Sequence, residues 1–119
     1  MARIADYTII TDNWVVQADQ DTIEFPVPDN INLGARSILG FMLDVDNNGE
    51  LRIKMRLNGH EVWSWHYSDD SRYPVRYFQE VVAANVLKTG TNVLSFDGAS
   101  GEKWFAQISD AVLWVQVNI

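Results

Sequence analysis

One segment of the sequence brings together side chains that could recognise a sugar. Carbohydrate recognition needs apolar ring faces that stack on the C–H surfaces of a sugar, flanked by carboxylate, amide or guanidinium groups that bond its hydroxyls. Such groups lie between residues 63 and 72, and the candidate ligand-binding residues are Trp63, Trp65, His66, Tyr67, Asp70 and Arg72. Because Trp and Tyr also fill β-sandwich cores and subunit interfaces, packing is the competing interpretation of these residues.

A second segment has the spacing of calcium ligands. Asp44, Asp46 and Asn48, followed by Gly49, match the opening of a calcium-binding loop, in which oxygen ligands alternate and a glycine allows the sharp turn. The twelfth position of that pattern is Met55 rather than Glu, and the flanking residues indicate strands, which excludes a helix-loop-helix calcium hand. A structural calcium on a loop and a solvated β-turn both remain open, and no other cofactor is predicted.

The sequence does not predict an enzyme. His60 and His66 are its only histidines, no Ser lies in a Gly-x-Ser-x-Gly elbow, and the absence of Cys excludes thiol catalysis. The adjacent carboxylates of Asp69 and Asp70 are expected to point apart, so they would not flank one bond. Gly-rich phosphate loops and clusters of histidine ligands are absent.

Composition limits the possible partners further. The chain has 119 residues, 47% hydrophobic and 21% charged, which predicts one domain over residues 1–119. Its formal charge of -7 argues against binding nucleic acid or an anionic membrane, both of which select basic surfaces. No apolar run is long enough for a membrane helix, and the N-terminus lacks the apolar core of a signal peptide. The expectation is a soluble protein whose location the sequence does not give.

Short apolar runs must position these residues, and they predict an all-β fold. Val, Ile, Trp, Phe and Thr cluster in runs of five to eight, separated by Asn, Asp and Gly. Two packed antiparallel sheets, a β-sandwich with jelly-roll topology, bury the inner faces of so many strands. The predicted strands are 7–11, 14–18, 22–27, 37–45, 51–57, 61–67, 75–81, 92–97, 103–108 and 111–117, with a helical turn or irregular crossing as an alternative over 80–87. The acidic residues of the N-terminal quarter are interpreted as solvated turns.

The clearest alternation lies in residues 51–57, where the aliphatic side chains must face the core. The predicted core is Leu51, Ile53, Met55, Leu57, Phe78, Leu87, Leu94, Phe96, Ile108 and Leu113. Asn58-Gly59 then predicts a hairpin turn, because both residues tolerate positive φ. A two-residue turn places Trp63 opposite Lys54 and Trp65 opposite Arg52, on the outer face, whereas a bulged three-residue loop turns both indoles into the core. The sequence leaves both registers open.

From Leu57 onward a series of landmarks resembles a known family. The order is Leu57-Asn58-Gly59, then Asp70-Ser71-Arg72-Tyr73-Pro74, Phe78, and Leu87-Lys88-Thr89-Gly90-Thr91-Asn92 with Leu94. Over about residues 57–114 this resembles the galactose-binding-like jelly-roll domain of family 2 glycoside hydrolases such as β-galactosidase. The resemblance implies the fold, and a scaffold role beside an active site carried elsewhere. Gln79 departs from the acidic residue usual after the Phe, and the chain has no room for the catalytic barrel.

These features are compatible with two functions. The first is a non-catalytic, lectin-like carbohydrate-binding module, in which a homo-oligomer supplies avidity. The alternative is a structural or protein-interaction domain, in which the two Trp residues and the strip of Arg52, Lys54 and Arg56 form an interface in a symmetric oligomer or a larger assembly. The expected partner is therefore a glycan or another protein.

Overall fold

The computed structural model describes residues 4–16, 20–47, 50–67, 71–72, 75–100 and 104–118. These residues contain strands and turns and no helix. The strands are β1 (Ile4–Val16), β2 (Gln20–Pro26), β3 (Ser37–Asn47), β4 (Leu51–Leu57), β5 (His60–Tyr67), β6 (Ser71–Arg72), β7 (Arg76–Val82), β8 (Thr91–Ser100) and β9 (Trp104–Val117).

The strands form two antiparallel sheets. In the five-stranded sheet β1 pairs with β9 and β9 with β3, and β3 pairs on its other side with both β6 and β7. The four-stranded sheet has the order β2-β8-β4-β5. The predicted fold class, an all-β antiparallel sandwich with jelly-roll topology, is confirmed.

Two long strands replace four predicted short ones. Predicted strands 7–11 and 14–18 both fall on β1, which is described as far as Val16, and 103–108 and 111–117 both fall on β9, which is described from Trp104. The β1–β9 pairing shifts register between Ile9 and Thr11, and Asp110 in β9 has a φ of 49°. A bulge of this kind bends a strand without ending it, so the polar residues that resembled turns lie within strands.

The core lies between the inner faces of the two sheets. Nine of the ten predicted core residues are buried: Leu51, Ile53, Met55, Leu57, Leu87, Leu94, Phe96, Ile108 and Leu113. Phe78 is half-buried and packs against the core from β7, at the edge of the five-stranded sheet. The strict alternation of aliphatic and charged side chains in β4 therefore predicted its inner face correctly, because the aliphatic side chains must be buried in the core.

The acidic N-terminal quarter lies on edge strands, so its interpretation as turns is wrong for most of the described residues. Asp6 and Asp12 belong to β1, Asp21 and Glu24 belong to β2, and both strands have a pairing partner on one side only. Asp6 Oδ1 accepts the Tyr7 N–H at 2.8 Å, and Asp21 Oδ1 accepts the N–H of the next residue at 2.8 Å. Charged side chains on an edge oppose pairing with another strand.

Candidate functional site

The β4–β5 hairpin sets the position of every candidate aromatic residue. Asn58 and Gly59, with φ of 50° and 85°, form a two-residue turn, and Leu57 pairs with His60. The register then shifts at Val62, so that Met55 lies opposite Trp63. Each of the two predicted registers was right in part. The turn has two residues, as the first register required, but a bulge at Val62 turns the indoles inward, as the second register required.

Two of the candidate residues are in the core. Trp63 and Tyr67 are each 4% exposed. The Trp63 ring packs edge-on against Phe41 at 5.1 Å and against Phe78 at 5.0 Å, measured between ring centroids. This burial removes Trp63 and Tyr67 from the ligand-binding set and gives them the packing role that was the competing interpretation.

Trp65 is on the inward phase of β5, like Trp63, but remains 39% exposed. Trp65 belongs to β5, the edge strand of its sheet, and lies opposite Ile53 of β4. Its ring packs edge-on against Phe78, with 5.2 Å between the ring centroids. One side of the indole is therefore held by the core while a large part of it faces solvent. Of Trp63, Trp65 and Tyr67, Trp65 alone is exposed.

An open groove of about 540 Å³ runs along the β4–β5 hairpin. Its lining combines Trp65 and Ile53 with alternating charged and hydroxyl residues of both strands. The lining residues are Arg52, Ile53, Lys54, Glu61, Ser64, Trp65 and His66. Arg52 lies opposite His66, and Lys54 opposite Ser64, because the bulge at Val62 places these polar side chains together on the outer phase.

The charges along the groove are paired. Arg52 Nε donates to Glu50 Oε1 at 3.0 Å, and His66 Nε2 lies 3.0 Å from the same oxygen. Lys54 Nζ lies 3.5 Å from Glu61 Oε1. The hydrogen bond and charge of Arg52, with a smaller contribution from His66, hold the pKa of Glu50 below its ordinary value. The charged form of Glu50 is therefore favoured, and in that form it pairs with Arg52.

The structure brings together only part of the predicted ligand-binding set. Trp65 and His66 line the groove. Asp70 lies outside the described residues, and Arg72 pairs through its backbone with Asp46 in the five-stranded sheet. Arg52 and Lys54 line the groove without having been in the predicted ligand-binding set, although the alternating charges of β4 signalled an exposed polar strip.

Two of the three predicted calcium residues lie on a strand rather than on a turn. Asp44 and Asp46 belong to β3, which continues through Asn47, and their backbones pair with β9. Asn48 lies outside the described residues. Among the residues that the structure describes, no group of three or more His, Cys, Asp or Glu side chains could hold a metal ion. Calcium binding stays a prediction.

In the described ranges, no helix is long and apolar enough to cross a membrane.

No family model matches the sequence, and no curated protein matches it. Among solved structures, the chain is similar to part of the dimeric latent PorU protein of Porphyromonas gingivalis, with a TM-score of 0.78 and 11% identity over 99% of this chain. The chain spans 13% of the length of that protein.

Carbohydrate-binding modules share the fold. A family 35 carbohydrate-binding module from Clostridium thermocellum has a TM-score of 0.54 and 13% identity, covering 92% of this chain and 97% of that module. The CBM36-1 domain of a multidomain xylanase, from the hindgut metagenome of Trinervitermes trinervoides, has a TM-score of 0.50 and 14% identity, covering 85% of this chain and 74% of that domain. These neighbours bear out the β-sandwich fold, whereas none of them places the chain in family 2 of the glycoside hydrolases.

Proposed function

We propose that the protein is a non-catalytic carbohydrate-binding module whose ligand lies in the β4–β5 groove. The observation that carries this proposal is Trp65, whose indole packs against Phe78 while 39% of the residue stays exposed, and which lines a groove together with Ile53 and five charged or polar residues. A rigid aromatic surface beside hydrogen-bonding groups is what a sugar ring requires.

The paired charges favour a neutral glycan. Arg52 and Lys54 supply donors, Glu61 an acceptor, and Ser64 both, while each carboxylate of the groove offsets a neighbouring cation. Sugar hydroxyls can donate and accept at once, so alternating donors and acceptors along the hairpin match them. An acidic glycan would instead need cations without such partners.

The same electrostatics argue against Glu50 as a general acid. A general acid in glycoside cleavage needs a carboxyl group whose pKa is raised, so that it holds a proton near neutral pH. Arg52 lowers the pKa of Glu50, which therefore holds no proton to donate. The two carbohydrate-binding modules that share the fold support the proposal.

Trp65→Ala tests the proposal, with Trp114→Ala as its matched control. Trp114 is 37% exposed but belongs to β9 in the other sheet, so the two substitutions remove the same side chain at nearly equal exposure. A glycan array identifies a ligand, and calorimetric titration with a short oligosaccharide measures monovalent affinity. Trp65→Ala is expected to weaken binding at least about tenfold, equivalent to about 1.4 kcal/mol, and Trp114→Ala to leave it unchanged.

Two outcomes would contradict this proposal. The first is an array with no binding to any glycan, and the second is a Trp65→Ala variant that is folded and binds with unchanged affinity. Circular dichroism of both variants establishes that they are folded before affinity is compared.

A further inference from the structure

The guanidinium of Arg52 is held in the groove by one of its edges. Arg52 lies opposite His66 and lines the groove, and its Nε donates to Glu50 Oε1 at 3.0 Å. Within the described ranges of the chain, Glu50 is the only hydrogen-bonding partner of this guanidinium. A guanidinium carries five N–H donors in one plane, and Nη1 and Nη2 form a different edge from the Nε–H. Holding Nε therefore orients the plane and leaves the pair Nη1 and Nη2, which we call the fork, to a ligand.

Glu50 fixes this guanidinium from outside the groove. Glu50 is not one of the lining residues, yet the oxygen that accepts the Arg52 Nε–H also lies 3.0 Å from His66 Nε2. One carboxylate thus contacts a groove residue of each strand of the hairpin. The side chains of Arg52 and Glu50 are 68% and 54% exposed, and so exposed a pair adds little to the stability of the fold. Its consequence is orientation, because it sets where the fork lies relative to His66.

The other two cations of β4 are held differently. Lys54 Nζ lies 3.5 Å from Glu61 Oε1, and an ammonium group is a point charge without a planar pair of donors. Arg56 forms a close ion pair with Asp97 through Nη1 itself, and it does not line the groove. Of these three cations, Arg52 alone can offer a fork to a ligand in the groove.

Two parallel N–H donors match a pair of neighbouring acceptor oxygens. In a neutral sugar this pair is a vicinal diol, which is two hydroxyl groups on adjacent ring carbons. Each hydroxyl can accept from the fork and still donate its own proton, and the groove offers the acceptors Ser64 and Glu61. The carboxylate of Glu50 offsets the charge of Arg52 and so reduces its attraction for an anion.

We propose that Arg52, positioned by Glu50, makes the groove selective for neutral glycans that present a vicinal diol. This inference rests on the proposed function, because it names the sugar chemistry that the same groove selects. Linkage decides whether a glycan offers the diol. Every internal residue of a 1,4-linked glucose or galactose chain has free hydroxyls on the adjacent carbons C2 and C3. An internal residue of a 1,3-linked chain has its free hydroxyls on C2, C4 and C6, none of which are adjacent.

Calorimetric titration of the full chain with neutral hexaoses tests this selection. The probes are the β-1,4-linked hexaoses of glucose and galactose, each compared with the β-1,3-linked hexaose of the same sugar. At least one β-1,4-linked hexaose is expected to bind at least about tenfold more tightly than its β-1,3-linked partner, because only its internal residues engage both donors of the fork. A parent chain that binds no hexaose, or that binds both linkages equally, would overturn the selection.

Arg52→Lys tests the fork, with Arg56→Lys as its matched control. Both substitutions keep the positive charge and remove the planar pair of donors, but only Arg52 lines the groove. Arg52→Lys is expected to weaken binding of the preferred hexaose at least about tenfold and to bind both linkages alike. Arg56→Lys is expected to keep the affinity and the preference of the parent. Equal effects of the two substitutions, in variants that circular dichroism shows to be folded, would overturn the role of Arg52.

Glu50→Ala and Glu50→Gln test the positioning role. Gln keeps an acceptor for the Arg52 Nε–H, whereas Ala removes it. Glu50→Ala is expected to lose the preference for the β-1,4 linkage while its urea unfolding midpoint stays that of the parent, and Glu50→Gln is expected to retain the preference. An Ala variant that still prefers the β-1,4 linkage would show that Glu50 does not position Arg52.

A carboxylate is the other ligand group that a fork can take. The β-1,4-linked hexaose of glucuronic acid has the same C2 and C3 hydroxyls as the glucose probe and adds a carboxylate to each residue. Tighter binding of this acidic hexaose than of the glucose hexaose would overturn the selection of a neutral diol. The groove itself is judged by the glycan array and by Trp65→Ala. If Trp65→Ala loses binding and Arg52→Lys does not, the groove stands and the role of Arg52 is wrong.

Discussion

Two asparagines join the β4–β5 turn to the start of β8. Asn58 Nδ2 donates to Asn92 Oδ1 at 2.7 Å and to the Val86 carbonyl at 2.9 Å, and Asn58 Oδ1 accepts the Val93 N–H at 3.0 Å. Asn92, fully buried, also accepts the Lys88 N–H at 2.9 Å and donates to the Lys88 carbonyl at 2.8 Å. The two side chains satisfy main-chain groups that the turn would otherwise leave unpaired.

Asn92→Ala is therefore expected to destabilise the fold by about 1 to 3 kcal/mol, because it leaves buried donors and acceptors without partners. Asn13→Ala is the control. Asn13 is exposed, and its side-chain oxygen accepts a single hydrogen bond from Gln107 at 2.8 Å, so a change within about 0.5 kcal/mol is expected. Urea unfolding measures both, and equal losses would show that the corner does not depend on Asn92.

Part of this corner could be predicted from single residues. A glycine at position 90 can supply the positive φ of a tight turn without steric cost, and Gly90 has a φ of 81°. The bond between Asn58 and Asn92 could not be predicted, because it joins residues that only the complete fold brings together. The identity of a single residue predicts its backbone conformation, whereas a contact between side chains distant in sequence depends on how the strands are arranged in the fold.

At the scale of the element, β5 shows why one residue decides the candidate site. Asn58-Gly59 fits a two-residue turn, and nothing in that dipeptide signals the bulge at Val62. The inner position of Trp63, between Phe41 and Phe78, favours the bulged register because a large ring is removed from water there. The same shift places Arg52 opposite His66 and so builds the polar part of the groove.

Deleting Val62 tests this register. The deletion leaves Trp63 opposite Met55 in a regular hairpin, so the variant is expected to lose only about 1 kcal/mol, from the packing of a half-buried Val. Trp63→Ala, by contrast, is expected to lose about 3 to 5 kcal/mol. If the hairpin had no bulge, the deletion would reverse both indoles across the sheet. A deletion that costs as much as Trp63→Ala in urea unfolding would therefore contradict the register.

The strands show where sequence patterns succeed and fail. Residues 51–57 were predicted with the observed bounds of β4, because its side chains alternate strictly between core and solvent. The polar stretches Asp12-Asn13 and Ser109-Asp110 were left between predicted strands, yet β1 and β9 continue through them, with a register shift near Ile10 in β1 and another at Asp110 in β9. A turn and a bulge draw on the same residue types, so composition does not separate them.

At the scale of the whole molecule, one glycine sets the separation of the sheets. Gly98 in β8 lies under the ring of Trp104 in β9, so backbone and indole meet between the two layers. The Phe96 ring lies beside the same indole, with 6.0 Å between centroids. A Cβ atom on Gly98 would lie 2.7 Å from Cη2 of Trp104 and closer still to Cζ2. The close approach of the sheets here depends on the absence of a side chain.

Gly98→Ala is expected to destabilise the sandwich by about 1 to 3 kcal/mol, because the buried Trp104 ring must shift and carry its sheet with it. Gly34→Ala is the matched control: its added methyl would lie 3.5 Å from Asn32 Oδ1, an ordinary contact in an exposed turn. That control is expected to be neutral or slightly stabilising, since Ala reduces the freedom of the unfolded chain. Thermal and urea unfolding of both variants measure the difference. Equal stability of the two would mean that the sheets separate at this point without cost, and that Trp104 does not fix their spacing.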